Sequence, residues 1–145
     1  MKKDINQKWF FNQPPPQVWD YLTKAELLAL WLMDNDFKPV VGHKFQFRGG
    51  GHDCETVGIA YCEVLEIVPQ KRLSYSWRTG SGNDMTVNSM VIWTLSEKPG
   101  GTELLLQHNG FELLEDYQSH ADGWNRCMNQ LNEILIAPQH ASATT

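Results

Sequence analysis

The groups in this chain that could do chemistry are a few histidines, carboxylates and a thiol, and they fall in four places. His52, Cys54 and Glu55 follow the run Gly49-Gly50-Gly51, and such a cluster could hold a metal or pair a thiolate with an imidazole. No second ligand pair stands at metal-site spacing, so no metal is expected, and a polar loop leading into a strand accounts for the same residues. His108 shares a strand face with Leu104 and Leu106. An imidazole there could orient a polar ligand group or act as general acid or base, or be held structurally by the backbone of the following turn. Asp34 and Asp36 flank Asn35 and could form a carboxylate pair, although solvation in a loop accounts for them as well. Glu63 and Glu66 lie on a long strand. Glu63, on the face of Tyr61 and Leu65, would have its pKa raised if that face lined a cavity, as a catalytic base requires.

The elements that must position these groups follow from hydrophobic period. Ile5 to Phe11 reads as a strand, and Pro14-Pro15-Pro16 forces an extended break. From Gln17, the positions Val18, Trp19, Leu22, Leu27, Leu28, Leu30 and Trp31 suit two short helices, with Thr23 and Glu26 placed as a capping box for the second. Strands are then expected over Phe37–Val40, Lys44–Arg48, Glu55–Val68, Arg72–Arg78, Met85–Leu95 and Thr102–His108, joined by glycine-, proline- and asparagine-bearing turns in an antiparallel meander. Trp124, Met128, Leu131 and Leu135 recur at intervals of four, three and four, the mark of one apolar stripe on a helix that starts near Glu115-Asp116 and stops before Pro138. The order predicts an α+β helix-grip fold: a curved antiparallel sheet of six to seven strands around a long C-terminal helix, with two short helices after the first strand. Residues 1–137 form a single domain in this reading, and 138–145 a disordered tail.

Composition bounds the function. The 145 residues fit one domain, and 41% hydrophobic with 20% charged residues lies in the globular range. A formal charge of -5 with scattered Lys and Arg gives no footprint for nucleic acid or anionic lipid, and no stretch has the length of a membrane span. The three cysteines form no disulfide framework, and no signal-peptide core follows Met1, so a cytoplasmic location is expected.

Four blocks taken together resemble one family. They are Pro15 to Asp20 with Glu26 to Trp31; Phe37 to Phe47; Cys62 to Trp77; and Gly101 to Phe111 with Gly123-Trp124. The resemblance is to the START-like (SRPBCC, helix-grip) superfamily, in the branch of homologues of the activator of heat-shock-chaperone ATPase. It implies the helix-grip fold and a cavity between sheet and helix rather than one reaction. Chaperone contact, in the eukaryotic co-activator, depends on a separate N-terminal domain, for which a chain starting at its first strand leaves no room. That argues against chaperone contact here, although a partner-binding module remains one alternative.

The leading expectation is a cavity that binds a small hydrophobic or amphipathic molecule without a cofactor and without catalysis. Its lining would be Trp31, Phe45, Phe47, Tyr61, Tyr75, Trp77, Ser89, Trp93, His108, Trp124 and Met128, since wide aromatic walls with a few polar groups are how such pockets are built. Its mouth would lie at the Trp31 segment and the Gly49-Gly50-Gly51 loop. The enzymatic alternative is a cyclase- or hydrolase-like reaction using His108 with Glu63 or Tyr61. A homodimer through an exposed sheet edge or helix is a further expectation.

Overall fold

The computed structural model describes residues 3–48, 59–81 and 84–144. The elements run β1 (Lys3–Phe11), α1 (Pro15–Thr23), α2 (Ala25–Trp31), β2 (Asp34–Asn35), β3 (Lys44–Arg48), β4 (Ile59–Val68), β5 (Arg72–Ser81), β6 (Asp84–Lys98), β7 (Gly101–Phe111) and α3 (Leu114–Thr144). The seven strands form one curved sheet in the order β1-β7-β6-β5-β4-β3-β2, with every neighbouring pair antiparallel. The α3 helix packs across β1, β7 and α2, so the concave face of the sheet and the helix enclose the core. No helix among the described residues is long and apolar enough to cross a membrane.

The two short helices form as their sequence dictates, with two corrections. Only Pro14 is extended (φ -70°, ψ 159°), and α1 begins at Pro15 rather than Gln17. Pro15 and Pro16 occupy first-turn positions, where no N–H is needed and a fixed φ already suits the helix. Thr23 does not cap α2: as the last residue of α1 it has helical backbone, and its hydroxyl folds back to donate to the Trp19 carbonyl at 2.8 Å. Lys24 holds the cap position without a side-chain bond.

Between α2 and β3 the expected strand over Phe37–Val40 is absent, and a two-residue strand, β2, stands three residues earlier. Asn35 is the cause. Its amide donates to the carbonyls of Ala25 (3.2 Å) and Met33 (2.9 Å), and its oxygen accepts the Phe37 N–H (3.0 Å), which turns the chain off the sheet.

In β4 the register slips between Val64, opposite Tyr75, and Glu66, opposite Ser74, leaving Leu65 as a bulge. Ala60, Cys62 and Val64 therefore face the core, and Tyr61, Glu63 and Leu65 face outward. The stripe of α3 is buried as the period predicts: Trp124, Met128, Leu131 and Leu135 are each at most 3% exposed. The helix does not stop before Pro138 but continues to Thr144. A proline removes one N–H and the bond to the residue four back, while the residues after it can still wind on.

Gly101 opens β7 where it crosses the end of β1. A Cβ there would stand 1.9 Å from the Phe11 carbonyl oxygen, whereas a Cβ at Gly42 (φ +90°) meets nothing within 4 Å. Gly101→Ala is therefore expected to cost more than about 2 kcal/mol, because two backbones must part, and Gly42→Ala about 1 kcal/mol of left-handed strain. Urea unfolding of both variants checks the ranking, and equal losses would contradict the close approach.

Candidate functional site

The chemistry of the interior is carried by β5, β6, β7 and α3. Alternation along β7 sends Leu104, Leu106 and His108 to the core, and His108 is fully buried. Ser89 on β6 stands opposite Trp77 on β5, and helical spacing on α3 brings His120, Trp124 and Cys127 onto one face above them.

These groups form two hydrogen-bonded relays. Trp124 Nε1–H donates to His108 Nδ1 at 2.9 Å, so that nitrogen must be an acceptor. A neutral His108 then carries its proton on Nε2 and gives it to Ser89 Oγ at 2.7 Å, and the Ser89 hydroxyl donates to the Trp77 carbonyl at 2.9 Å. In the second relay Trp77 Nε1–H donates to His120 Nε2 at 3.2 Å, and His120 Nδ1–H donates to the Asp116 carbonyl at 2.8 Å. The two imidazoles are thus neutral and of opposite tautomer, with ring centroids 5.5 Å apart.

Burial holds the His108 pKa well below 6.5, and the neighbouring His120 adds to the shift. His120 is also lowered, again by burial, against the opposing pull of the Asp116 carbonyl and carboxylate. Two further indoles are satisfied in the same way, Trp93 by the Tyr75 hydroxyl (2.9 Å) and Trp31 by the Tyr21 carbonyl (2.9 Å). Burial raises the Tyr75 phenol and the Cys62 thiol above their ordinary ranges, so both stay neutral.

The residues expected to line a cavity are mostly together, and among the described residues the recess they leave is small. Trp31, Phe45, Phe47, Tyr75, Trp77, Ser89, Trp93, His108, Trp124 and Met128 are all buried and meet between sheet and helix. Their rings fill the space, through contacts such as Trp31 with Trp93 (5.9 Å) and Phe45 with Phe47 (5.3 Å). Among the described residues a half-open recess of about 20 Å³ lies beside them, lined by Leu32 and Met33 after α2, Trp77, and His120, Gly123, Trp124 and Cys127. That is room for one water, against the roughly 150 Å³ of a cavity that admits benzene.

Tyr61 is corrected outright. It is 39% exposed and, with Glu63, lies on the opposite face of the sheet from His108, so these three do not form one site. Both instead line a pocket of about 410 Å³ on the outer face. Asp34 and Asp36 are exposed and do not pair, since Asp36 Oδ1 accepts the Gln46 N–H at 2.7 Å. Glu66 pairs with Arg72 at 2.7 Å. His52, Cys54, Glu55 and the Gly49-Gly50-Gly51 mouth lie outside the described residues, and among the described residues no three His, Cys, Asp or Glu side chains converge on a metal position. Sequence reasoning missed His120, although it stands four residues before Trp124 on the same stripe.

Residues 12–136 match the family described as Activator of Hsp90 ATPase homolog 1-like protein. The chain belongs to that family. Among solved structures it is similar to protein MLL2253 from Mesorhizobium loti, with 33% identity, a TM-score of 0.82, and coverage of 93% of this chain and 98% of that one. Protein BH1534 from Bacillus halodurans is similar at 25% identity and TM-score 0.73, covering 92% and 96%. The Aha1 dimer from Colwellia psychrerythraea shares the fold at 20% identity and TM-score 0.75, covering 92% and 96%. No curated protein matches the chain.

For this member of the Aha1-like family the relays make stability depend on pH. The native state needs both imidazoles neutral, whereas the unfolded chain takes up protons near the ordinary 6.5. The contribution is complete above 6.5 and is lost as pH falls below it toward the depressed native values, at up to about 1.4 kcal/mol per histidine per pH unit. Urea unfolding at descending pH is expected to show this slope. His120→Gln, whose amide can still accept from Trp77, is expected to remove the share of His120. A flat profile below 6.5 would contradict the buried neutral pair.

Proposed function

We propose that this protein is a binding domain that takes a small apolar or amphipathic molecule at the seam between the end of α2 and α3. The observation that carries this is the placement of the interior void. It lies against Leu32 and Met33, where the chain has left α2 with Leu32 at φ -113°, ψ -82°, rather than deep under the sheet. One wall is thus an irregular segment ending in an adaptable methionine, and the opposite wall is the regular α3 face.

A ligand of one ring must enlarge the void several-fold, so the competent form is a minor conformation that the ligand makes dominant. The affinity is lowered by the fraction of molecules open at any moment. Binding is favoured over catalysis because both nitrogens of His108 are already engaged, by Trp124 and Ser89. Its other proposed partners, Tyr61 and Glu63, lie across the sheet. A cytoplasmic location is kept as part of this proposal; the buried thiol of Cys62 accords with it.

Two substitutions at the void test the reading in opposite directions. Met33→Ala enlarges it and is expected to cost about 2–5 kcal/mol of stability while tightening binding of an environment-sensitive apolar dye. Cys127→Met fills it and is expected to weaken the same binding. Dye titration with tryptophan fluorescence reads both, since Trp77 and Trp124 form the wall. Dye affinity unchanged in both variants would place binding elsewhere and overturn the proposal.

A further inference from the structure

The outer face of the sheet holds a second, independent feature that the interior does not explain. The pocket of about 410 Å³ there lies in the range of small-molecule sites, roughly 300–1,000 Å³. Its floor is two cross-strand rows: Gln46 opposite Tyr61 opposite Arg78, and Lys44 opposite Glu63 opposite Ser76. Asp36 forms a wall and is fixed from both ends. Its carboxylate accepts the Gln46 N–H at 2.7 Å and lies 3.9 Å from Arg48, and its carbonyl meets His43 Nε2 at 2.9 Å.

The hydrogen-bond inventory of that floor is donor-rich apart from the Glu63 carboxylate. Ser76 Oγ already accepts the Glu63 N–H at 3.0 Å, which leaves its hydroxyl proton to give. Gln46 Oε1 already accepts from Arg48 at 3.4 Å, which leaves its amide N–H groups to give. Lys44 and Arg78 can only donate, and neither is in an ion pair among the described residues. Tyr61 offers a half-open ring and a hydroxyl beside them. Glu63 is the one carboxylate on the floor, next to Lys44 in the register yet not in a salt bridge with it.

Charge over the whole chain points the same way. Residues 34–81 hold six of the twelve basic and six of the seventeen acidic side chains, so the entire net charge of -5 lies elsewhere. The segment that supplies this pocket is thus neutral overall in a chain that is acidic elsewhere.

We propose that this pocket binds a small, acceptor-rich anion with a planar body, the anionic group held by Arg78, Gln46 and Ser76 and the plane laid on Tyr61. Carboxylates and phosphate monoesters share that chemistry, and Glu63 limits the charge the site accepts. The site is distinct from the α2–α3 seam and does not depend on it, because the sheet stands between them.

Amide-resolved NMR titration of the intact protein with phenyl phosphate, benzoate and phenol tests this. The two anions are expected to shift the amides of residues 44–46, 61–63 and 76–78, and the larger response to phenyl phosphate or to benzoate identifies the anion class. Phenol, which lacks the charge, is expected to leave those amides in place, and any shift it causes at Leu32, Met33 or Gly123 reports the seam instead. Arg78→Gln should weaken anion binding about tenfold or more, the loss of one charge-assisted contact, and Glu63→Gln should strengthen it. Anions that leave these amides unmoved, or that bind Arg78→Gln as well as the unaltered protein, would overturn the proposal.

Discussion

Trp77 and Trp124 carry two indole N–H donors into a dry interior, and each needs an acceptor there because a buried unpaired donor costs about 1–3 kcal/mol. Two imidazoles supply the acceptors, His120 at 3.2 Å and His108 at 2.9 Å. An imidazole can accept only when neutral, so the core requires both rings uncharged. It also fixes their tautomers, since His108 must then donate to Ser89 and His120 to the Asp116 carbonyl. Apolar burial is non-directional and would tolerate α3 sliding or turning on the sheet. The relays do not tolerate it: turning the helix by one residue, about 100°, would carry His120 and Trp124 away from their partners together.

The same arrangement explains why the two faces of the sheet differ in kind. On the concave face, ten of the expected lining residues pack on one another, and among the described residues they leave a recess of about 20 Å³ at the α2–α3 seam. Each polar group in the relays is answered within the protein, so a ligand entering there gains by packing and has few free hydrogen bonds to form. The convex face is the reverse. Its rows of Gln46, Tyr61, Arg78, Lys44 and Ser76 present donors, with Lys44 and Arg78 in no ion pair among the described residues, over a floor of backbone already held in the ladder. This domain of the Aha1-like family thus carries its indole–imidazole relays inside and its donor-rich rows outside.

The parts of the fold legible in the sequence were those set by period. Trp124, Met128, Leu131 and Leu135 announced α3, and alternation placed His108 beside Leu104 and Leu106 on the buried face. Alternation misled at Tyr61 and Glu63, whose placement on a cavity wall required the faces of β4 to be assigned along a strand that a bulge at Leu65 interrupts. Period also says nothing about a side-chain hydrogen bond, so neither the Thr23 back-bond to Trp19 nor the Asn35 turn that displaces a strand to Asp34–Asn35 could be read from it. It assigns faces but not volumes, so how much space an aromatic wall leaves open cannot be read from it. His120 was within reach, being one turn before Trp124, but its partner Trp77 lies 43 residues away and only the sheet brings them together.

Nitrogen-15 NMR of the histidine side chains near neutral pH tests the central claim directly, because protonated, accepting and charged ring nitrogens have separate shifts. The relays predict a neutral His108 with its proton on Nε2 and a neutral His120 with its proton on Nδ1, each a single unaveraged tautomer. The same tautomer in both rings, an averaged pair of nitrogens, or an imidazolium at either position would contradict them.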